Sequence, residues 1–305
     1  MTICHIGTMG DISKEGMITQ YIFNDCIGNH CYIDLYDEPI KADIYILHCF
    51  KNQKHFPNQI LWEKPEGSRL ISLIHSGEPC MPAKESDVII TITNAWKKRL
   101  KELYNIDSVM IYGGIDLEKY ENAKIDYDSM VFGKISRPEA GKYHALWNEM
   151  IENILYLTKA ECRIISNNYK KLNYLFHPRM KWIEGIKIND HAAKVRELSK
   201  MSIYIECHDD GGNAFIDTFC MSVLEAMACG LPILIYKGLQ EAMTEVIGNA
   251  GIICDDIKMF QKELVNLLND RKSREYYGKL AKERAKFFDK NNMIKQWDIL
   301  LEGLC

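Results

Sequence analysis

The sequence has no long hydrophobic run and no paired cysteine motif. Its longest apolar stretches, such as Val88 to Ile92 and Leu231 to Tyr236, are far shorter than the roughly 20 residues of a membrane-spanning helix. The first strand-like segment, Thr2 to Ile6, lacks the features of a signal peptide. The 11 cysteines are scattered through apolar segments without a C-x-x-C pair, which favours reduced core thiols. We therefore expect a cytoplasmic protein without a transmembrane segment.

The chain also lacks an excess of basic residues. Its formal net charge is -4, and the first 121 residues hold 12 Lys and Arg against 17 Asp and Glu. Non-specific binding to nucleic acid requires clustered Lys and Arg, so this balance argues against nucleic acid as a general partner. No G-x-G-x-x-G motif opens a helix after a strand, which argues against a dinucleotide-dependent enzyme.

The pattern that is present is an alternation of strand-like runs and amphipathic stretches. A length of 305 residues favours two domains of roughly 150 residues each. β-branched runs alternate with helical patterns such as Asn94 to Tyr104, which predicts an α/β chain with parallel sheets covered by helices. The alternation breaks at the charged stretch Leu117 to Lys124, where we place a linker. Two doubly wound halves would then bind a ligand in the cleft at the carboxyl ends of their strands.

The most informative segment runs from Asp217 to Pro232. Asp217 and Glu225 are eight positions apart, so on a helix they would lie about 800° apart and nearly on one face. We predict a helix from about Phe219 to Met227 with Asp217 as its N-cap, and with the amides of Thr218, Phe219 and Cys220 open to a phosphate. Gly230 is expected to end this helix before a buried strand.

This segment resembles a signature of the family 4 glycosyltransferases, in which two glutamates with seven residues between them precede Ala-Met-Ala-x-Gly-x-Pro. The chain matches from Glu225 to Pro232 and has Asp217 in place of the first glutamate. The resemblance implies a GT-B fold, with two Rossmann-like domains facing a central cleft and a C-terminal helix crossing back to the N-terminal domain. It also implies that Asp217 contacts the donor sugar and Glu225 the ribose.

The same resemblance gives domain boundaries. Residues 1–121, with a crossover helix at about 287–305, would form the acceptor-side domain. Residues 122–286 would form the nucleotide-sugar domain.

A basic loop follows the first strand of the second half. The stretch from Phe132 to Lys142 resembles the family loop that grips the donor diphosphate. Lys134, Arg137 and Lys142 are all candidates, and we favour Arg137 with Lys142 because a planar fork and a point charge together suit a diphosphate. Lys134 by itself fits a solvated basic loop equally well.

Two segments in the first half of the chain resemble segments that lie near the nucleotide-sugar donor in the family. Gly7 and Gly10 directly follow the first strand, as in the family loop that faces the donor phosphates. His75 follows another strand and resembles a histidine near the donor sugar. His48 is a weaker candidate near the acceptor.

The segment Trp182-Ile-Glu184-Gly185 resembles the place where relatives bind the nucleotide base, largely through backbone groups. The acidic pairs Asp209-Asp210 and Asp255-Asp256 lack the spacing of a metal-binding D-x-D motif, and Cys207-His208 lacks a second pair at zinc spacing. We expect no metal and no cofactor, since the nucleotide sugar is a co-substrate.

The resemblance implies transfer of a hexosyl group from a UDP or GDP sugar to an acceptor hydroxyl, with retention of anomeric configuration. The acceptor could be a glycan, a glycolipid or a modified nucleobase in viral DNA. A non-catalytic nucleotide-sugar or glycan-binding relative is the alternative, because Asp217 and Gly113 depart from the family pattern. Release of free nucleoside diphosphate distinguishes the two.

Overall fold

The computed structural model describes residues 1–7, 17–34, 40–49, 64–74, 85–137, 139–167, 177–187, 190–209 and 219–304. These residues form two compact units. The first unit contains Met1–Ile115, Phe288–Cys305 and Phe219, and the second contains Asp116–Ile216 and Cys220–Phe287.

The first unit is built on a six-stranded parallel sheet with strand order β2-β1-β3-β4-β5-β6. Strands β3 and β4 are mostly apolar, because the inner strands of a parallel sheet are buried on both faces. The elements are β1 (Thr2–Gly7), α1 (Met17–Asp25), β2 (Asn29–Asp34), β3 (Ile44–Cys49), β4 (Arg69–Ile74), β5 (Val88–Thr91), α2 (Asn94–Tyr104), β6 (Val109–Met110) and α9 (Lys290–Leu304).

Helix α2 shows how local sequence fixes the ends of an element. The Thr93 hydroxyl caps its start by accepting from the Trp96 amide at 3.4 Å. Asn105 ends it in the left-handed region, at a φ of 52°. The helix predicted over Asn94 to Tyr104 is confirmed at both ends.

The second unit contains another six-stranded parallel sheet, with order β12-β11-β10-β7-β8-β9. The order reverses between β7 and β10, which makes their carboxyl ends a topological switch point. Its strands and helices are β7 (Val131–Ile135), α3 (Trp147–Leu157), β8 (Glu161–Ile165), β9 (Met180–Ile183), α4 (His191–Leu198), β10 (Ile203–Cys207), α5 (Met221–Cys229), β11 (Ile233–Tyr236), α6 (Glu241–Ile247), β12 (Ile252–Cys254), α7 (Ile257–Asn269) and α8 (Arg271–Ala285). Short 3₁₀ helices span Leu117–Tyr120, Ala140–Lys142 and Lys286–Phe288.

The C-terminal helix α9 packs on the first unit, as predicted for the crossover helix. The Lys290 amide donates to the Ile115 carbonyl at 2.9 Å, and the Asp298 carboxylate accepts from the Ile27 amide at 2.9 Å. A Cβ at Gly114 would lie 2.8 Å from the Lys290 Cα, so only glycine permits this close approach.

The chain passes from the first unit to the second between Ile115 and Asp116. Tyr120, inside the stretch predicted as a linker, is buried at 1% exposure in the second unit. Among the helices of the described ranges, none has the length and apolar character required to cross a membrane.

Candidate functional site

The carboxyl ends of β7 and β10 are held together by the loop that follows β7. The His144 amide donates to the Cys207 carbonyl at 2.9 Å, and the Asp209 amide donates to the Gly141 carbonyl at 3.2 Å. The loop that carries the basic residues is therefore fixed at the switch point of the second sheet. This is the edge where doubly wound sheets bind their ligands.

Lys134 lies inside the second unit beneath this loop. Its Nζ is 2.5 Å from a Glu206 carboxylate oxygen and donates to the Lys142 carbonyl at 2.8 Å. It also lies 4.7 Å from the centre of the Tyr143 ring. The interpretation of Lys134 as a solvated loop residue is wrong, because its exposure is 0%. Its contacts anchor the backbone of Lys142 to the core.

Glu206 is the buried partner that the sequence analysis did not identify. Burial by itself would raise the pKa of this carboxyl, but Lys134 and His208 lower the pKa to about 2. His208 Nε2 lies 3.0 Å from one carboxylate oxygen, and the Tyr204 hydroxyl donates to the other at 3.0 Å. A charged residue within an otherwise apolar strand was the available signal, because a buried charge requires a partner.

Arg137 and Lys142 both lie in the loop at the switch point, but in different environments. The Arg137 guanidinium is half exposed and lies 3.3 Å from the Glu139 carboxylate. Lys142 ends the short 3₁₀ helix Ala140–Lys142 and is only 7% exposed. The loop thus carries two cations at the carboxyl edge of the sheet, where a phosphate group would be received.

Helix α5 begins later than predicted. Its first residue is Met221, and its N-cap is Cys220, in the left-handed region at a φ of 51°. The prediction that Asp217 is the N-cap is therefore wrong. Asp217 and Thr218 lie outside the described residues. Gly230 ends the helix with a φ of 89°, as predicted.

Phe219 and Cys220 are both described, and both are buried. The Phe219 ring lies 5.7 Å from the Phe288 ring within the first unit. The Cys220 carbonyl accepts from the Leu224 amide at 3.3 Å, which is the first hydrogen bond of α5.

Glu225 projects from α5 into a buried polar cluster. One of its carboxylate oxygens, Oε1, accepts from Lys194 Nζ at 2.6 Å and from the Tyr120 hydroxyl at 3.0 Å. Exposure is 2% for Glu225 and 6% for Lys194. An isolated charge at this depth would be strongly unfavourable, so the pair accounts for the burial of both residues.

His191 extends the cluster by one hydrogen bond. Its Nδ1 lies 2.9 Å from the Tyr120 hydroxyl oxygen, which has already donated its single proton to Glu225. His191 must therefore donate through Nδ1–H. Burial, together with the nearby charges of Lys119 and Lys194, lowers the pKa of His191 to about 4. The imidazole is thus neutral near pH 7.

Glu184 and Gly185 follow β9, the outer strand of the same sheet, and both are exposed. Gly185 adopts a φ of 83°, and its amide donates to the Asn167 side-chain oxygen at 2.9 Å. Two strand spacings separate β9 from β7, which corresponds to about 10 Å.

The first-unit candidates are only partly described. Gly7 is buried at the end of β1, whereas Gly10 and His75 lie outside the described residues. His48 is fully buried, with Nε2 2.8 Å from His5 Nδ1. No group of three or more His, Cys, Asp or Glu side chains in the described parts of the chain could hold a metal ion.

Comparison with protein families and solved structures gives the context for these residues. Residues 190–284 match the family model described as "Glycosyl transferases group 1". This segment contains His191, Lys194 and Glu225 but neither Tyr120 nor the basic loop. No curated protein sequence matches the chain.

Solved structures match the fold at low sequence identity. HepE from Anabaena, in complex with UDP and glucose, has a TM-score of 0.70 and 12% identity, covering 99% of this chain and 100% of that one. The lipopolysaccharide outer core galactosyltransferase WaaB has a TM-score of 0.68 and 13% identity, covering 100% of both chains. TarM has a TM-score of 0.64 and 13% identity, covering 83% of this chain.

The chain spans only 53% of the length of TarM. The two parallel sheets and these likenesses establish a two-domain, Rossmann-like GT-B fold. Within this fold, the match to the group 1 glycosyltransferase family model covers residues 190–284.

Proposed function

We propose that the protein transfers a hexosyl group from a UDP or GDP sugar to an acceptor hydroxyl, with retention of anomeric configuration and without a metal ion. The observation that carries the proposal is the position of Glu225. It lies in the segment that matches the glycosyltransferase family model, and Lys194 holds it as a buried carboxylate. The basic loop belongs to the same unit.

The donor would extend along the carboxyl edge of the second sheet. Arg137 and Lys142 would meet the diphosphate, and Glu225 would accept from ribose hydroxyls. Backbone groups at Glu184 and Gly185 would bind the nucleotide base. The distance of about 10 Å between β7 and β9 supports this order of sites.

Further donor contacts are proposed from the family resemblance. Asp217 would accept from the sugar hydroxyls, and the amides of Thr218, Phe219 and Cys220 would meet phosphate oxygens. His75, Gly7 and Gly10 would face the donor from the first domain. The domains would span residues 1–121 with 287–305, and residues 122–286.

The reaction would rest on charge stabilisation. The leaving nucleoside diphosphate gains negative charge as the glycosidic bond breaks, and fixed cations at Arg137 and Lys142 would stabilise that charge. Two cations in this loop would supply the charge that a metal ion supplies elsewhere. We propose no covalent intermediate.

The acceptor class is proposed as a glycan or glycolipid. WaaB, whose fold matches over the full length of both chains, is a lipopolysaccharide outer core galactosyltransferase. A modified base in DNA is the alternative, and comparing the two acceptors with the same donor would discriminate between them.

Binding and stereochemistry test the proposal together. We expect either UDP or GDP to raise the melting temperature in the presence of EDTA, because a ligand that binds only the folded state stabilises it. NMR of the product formed from an α-linked donor is expected to show an α-linked sugar. Absence of stabilisation by both nucleotides would refute the donor site, and a β-linked product would refute retention.

A further inference from the structure

The two hydrogen bonds that Glu225 receives converge on one of its oxygens. Lys194 Nζ lies 2.6 Å and the Tyr120 hydroxyl 3.0 Å from Oε1, so Oε2 takes neither bond. Two donors on one oxygen fix the rotation of the carboxylate plane. The direction of Oε2 is then set by the protein before any ligand binds.

The two donors come from separate elements, and His191 of α4 links them. Lys194 is on α4, whose start is capped by the Asp190 side chain accepting from the Ala193 amide at 2.9 Å. Tyr120 ends the 3₁₀ helix Leu117–Tyr120 and is oriented by His191. The carboxylate is thus held by two elements of the second unit.

The charges within the cluster are balanced. The Lys194 ammonium neutralises Glu225, and His191 is uncharged near pH 7 because its pKa is lowered to about 4. A neutral pair in a buried place attracts neither a phosphate nor a cation strongly. It remains a strong acceptor for hydroxyl groups, because one partner is still an ionised carboxylate.

We propose that Lys194 and Tyr120 are positioning residues that aim Glu225 at the ribose hydroxyls of the donor. The proposal rests on the nucleotide-sugar function proposed above. Lys194 and Tyr120 do not contact the ligand themselves in this account. Their removal lets the carboxylate rotate, so the protein loses its ability to distinguish a ribose from a deoxyribose.

Calorimetric titration of the intact protein with UDP and 2′-deoxy-UDP tests this role. If GDP is the nucleotide that binds, GDP and 2′-deoxy-GDP replace them. We expect the wild type to bind the ribonucleotide about 10-fold more tightly, because a hydrogen bond to a charged group is lost in the deoxy form. In K194M and in Y120F, the ratio of the affinity for the ribonucleotide to the affinity for its 2′-deoxy form should fall to below about 3-fold.

Two controls separate positioning from folding. K194R, which retains the charge and the donor, should keep more of the ratio than K194M. K258M removes an exposed lysine from α7 in the same unit and should leave the ratio unchanged. Melting curves identify any variant that fails to fold. If K194M does not fold, Y120F provides the test.

The outcomes distinguish the positioning role from the nucleotide-sugar function on which it rests. A wild-type protein that binds the ribonucleotide and its deoxy form equally would overturn the positioning role but leave the donor site intact. The same holds if folded Y120F and K194M keep the wild-type ratio. A wild-type protein that binds neither UDP nor GDP would overturn the proposed function itself.

Discussion

Lys134 Nζ lies 2.5 Å from the Glu206 carboxylate, and neither side chain is more than 2% exposed. The same ammonium donates to the Lys142 carbonyl, so the ion pair in the core anchors the end of the basic loop. The stability of the second unit and the geometry of the proposed diphosphate site therefore depend on one lysine.

Removing this lysine should be strongly destabilising. We expect K134M to lower the free energy of unfolding by about 3 to 5 kcal/mol in urea titrations, because Glu206 is left buried without its main counter-charge. The double variant K134M/E206Q should recover part of this loss. K98M, which removes an exposed helix pair with Glu102 at 3.8 Å, should change stability by less than about 0.5 kcal/mol. Equal effects of K134M and K98M would show that the buried pair is not structural.

A second prediction concerns the contact between α5 and α8. A Cβ at Gly278 would lie 2.4 Å from both the Gly230 carbonyl oxygen and the Tyr127 hydroxyl, at the residue that ends α5. G278A should lower the free energy of unfolding by about 1 to 3 kcal/mol through overpacking. At Gly303 in α9 an added Cβ meets no atom within 4 Å, so G303A should be neutral or stabilising by up to about 1 kcal/mol. Thermal unfolding of both variants tests this contrast. A change of both melting temperatures in the same direction would contradict it.

A third prediction is a pH dependence due to His191. Its pKa is lowered from 6.5 to about 4 on folding, so the unfolded state binds the proton more readily. The contribution of neutral His191 to the free energy of unfolding is fully present above about pH 6.5. It is lost as the pH falls towards 4.

The variant H191N keeps a side-chain N–H for Tyr120 but does not titrate. We expect the stability of the wild type relative to H191N to decrease between pH 6.5 and pH 4, measured by urea unfolding. A constant difference across this range would mean that His191 titrates equally in both states.

Much of the fold could be predicted from the sequence because strand and helix patterns are local. Strands β1, β5 and β11 match the strand-like segment Thr2 to Ile6 and the apolar runs Val88 to Ile92 and Leu231 to Tyr236, and helix α2 was predicted residue by residue. Gly230 was identified as a helix end because its left-handed conformation favours glycine.

The errors have two physical causes, one local and one long-range. The predicted cap at Asp217 was wrong because Cys220 adopts a left-handed conformation that its side chain does not favour, so α5 starts later than the pattern indicated. Lys194 and Glu225 are 31 positions apart, and Lys134 and Glu206 are on separate strands. Such pairs depend on how strands and helices are arranged, which single-sequence patterns do not contain.

A fourth prediction tests the basic loop. K142M removes the ammonium but keeps the backbone carbonyl that accepts from Lys134. We expect about 10-fold weaker binding of UDP or GDP and a smaller change for the nucleoside monophosphate, because in the proposed site the lost charge would face the diphosphate. Calorimetry with both ligands measures the difference. An equal loss for the two ligands, or none, would remove Lys142 from the diphosphate site.

The most direct test of the central claim is to follow the nucleotide sugar itself. The purified protein is incubated with EDTA and, in turn, with UDP-glucose, UDP-galactose, UDP-N-acetylglucosamine and GDP-mannose, with and without a glycan or lipopolysaccharide acceptor. Free nucleoside diphosphate and the mass of the acceptor are then measured. We predict that one donor yields its nucleoside diphosphate together with an acceptor heavier by one sugar, and that K142M slows both. Binding of a nucleotide without release of nucleoside diphosphate from any donor would contradict catalysis and identify a nucleotide-sugar-binding protein.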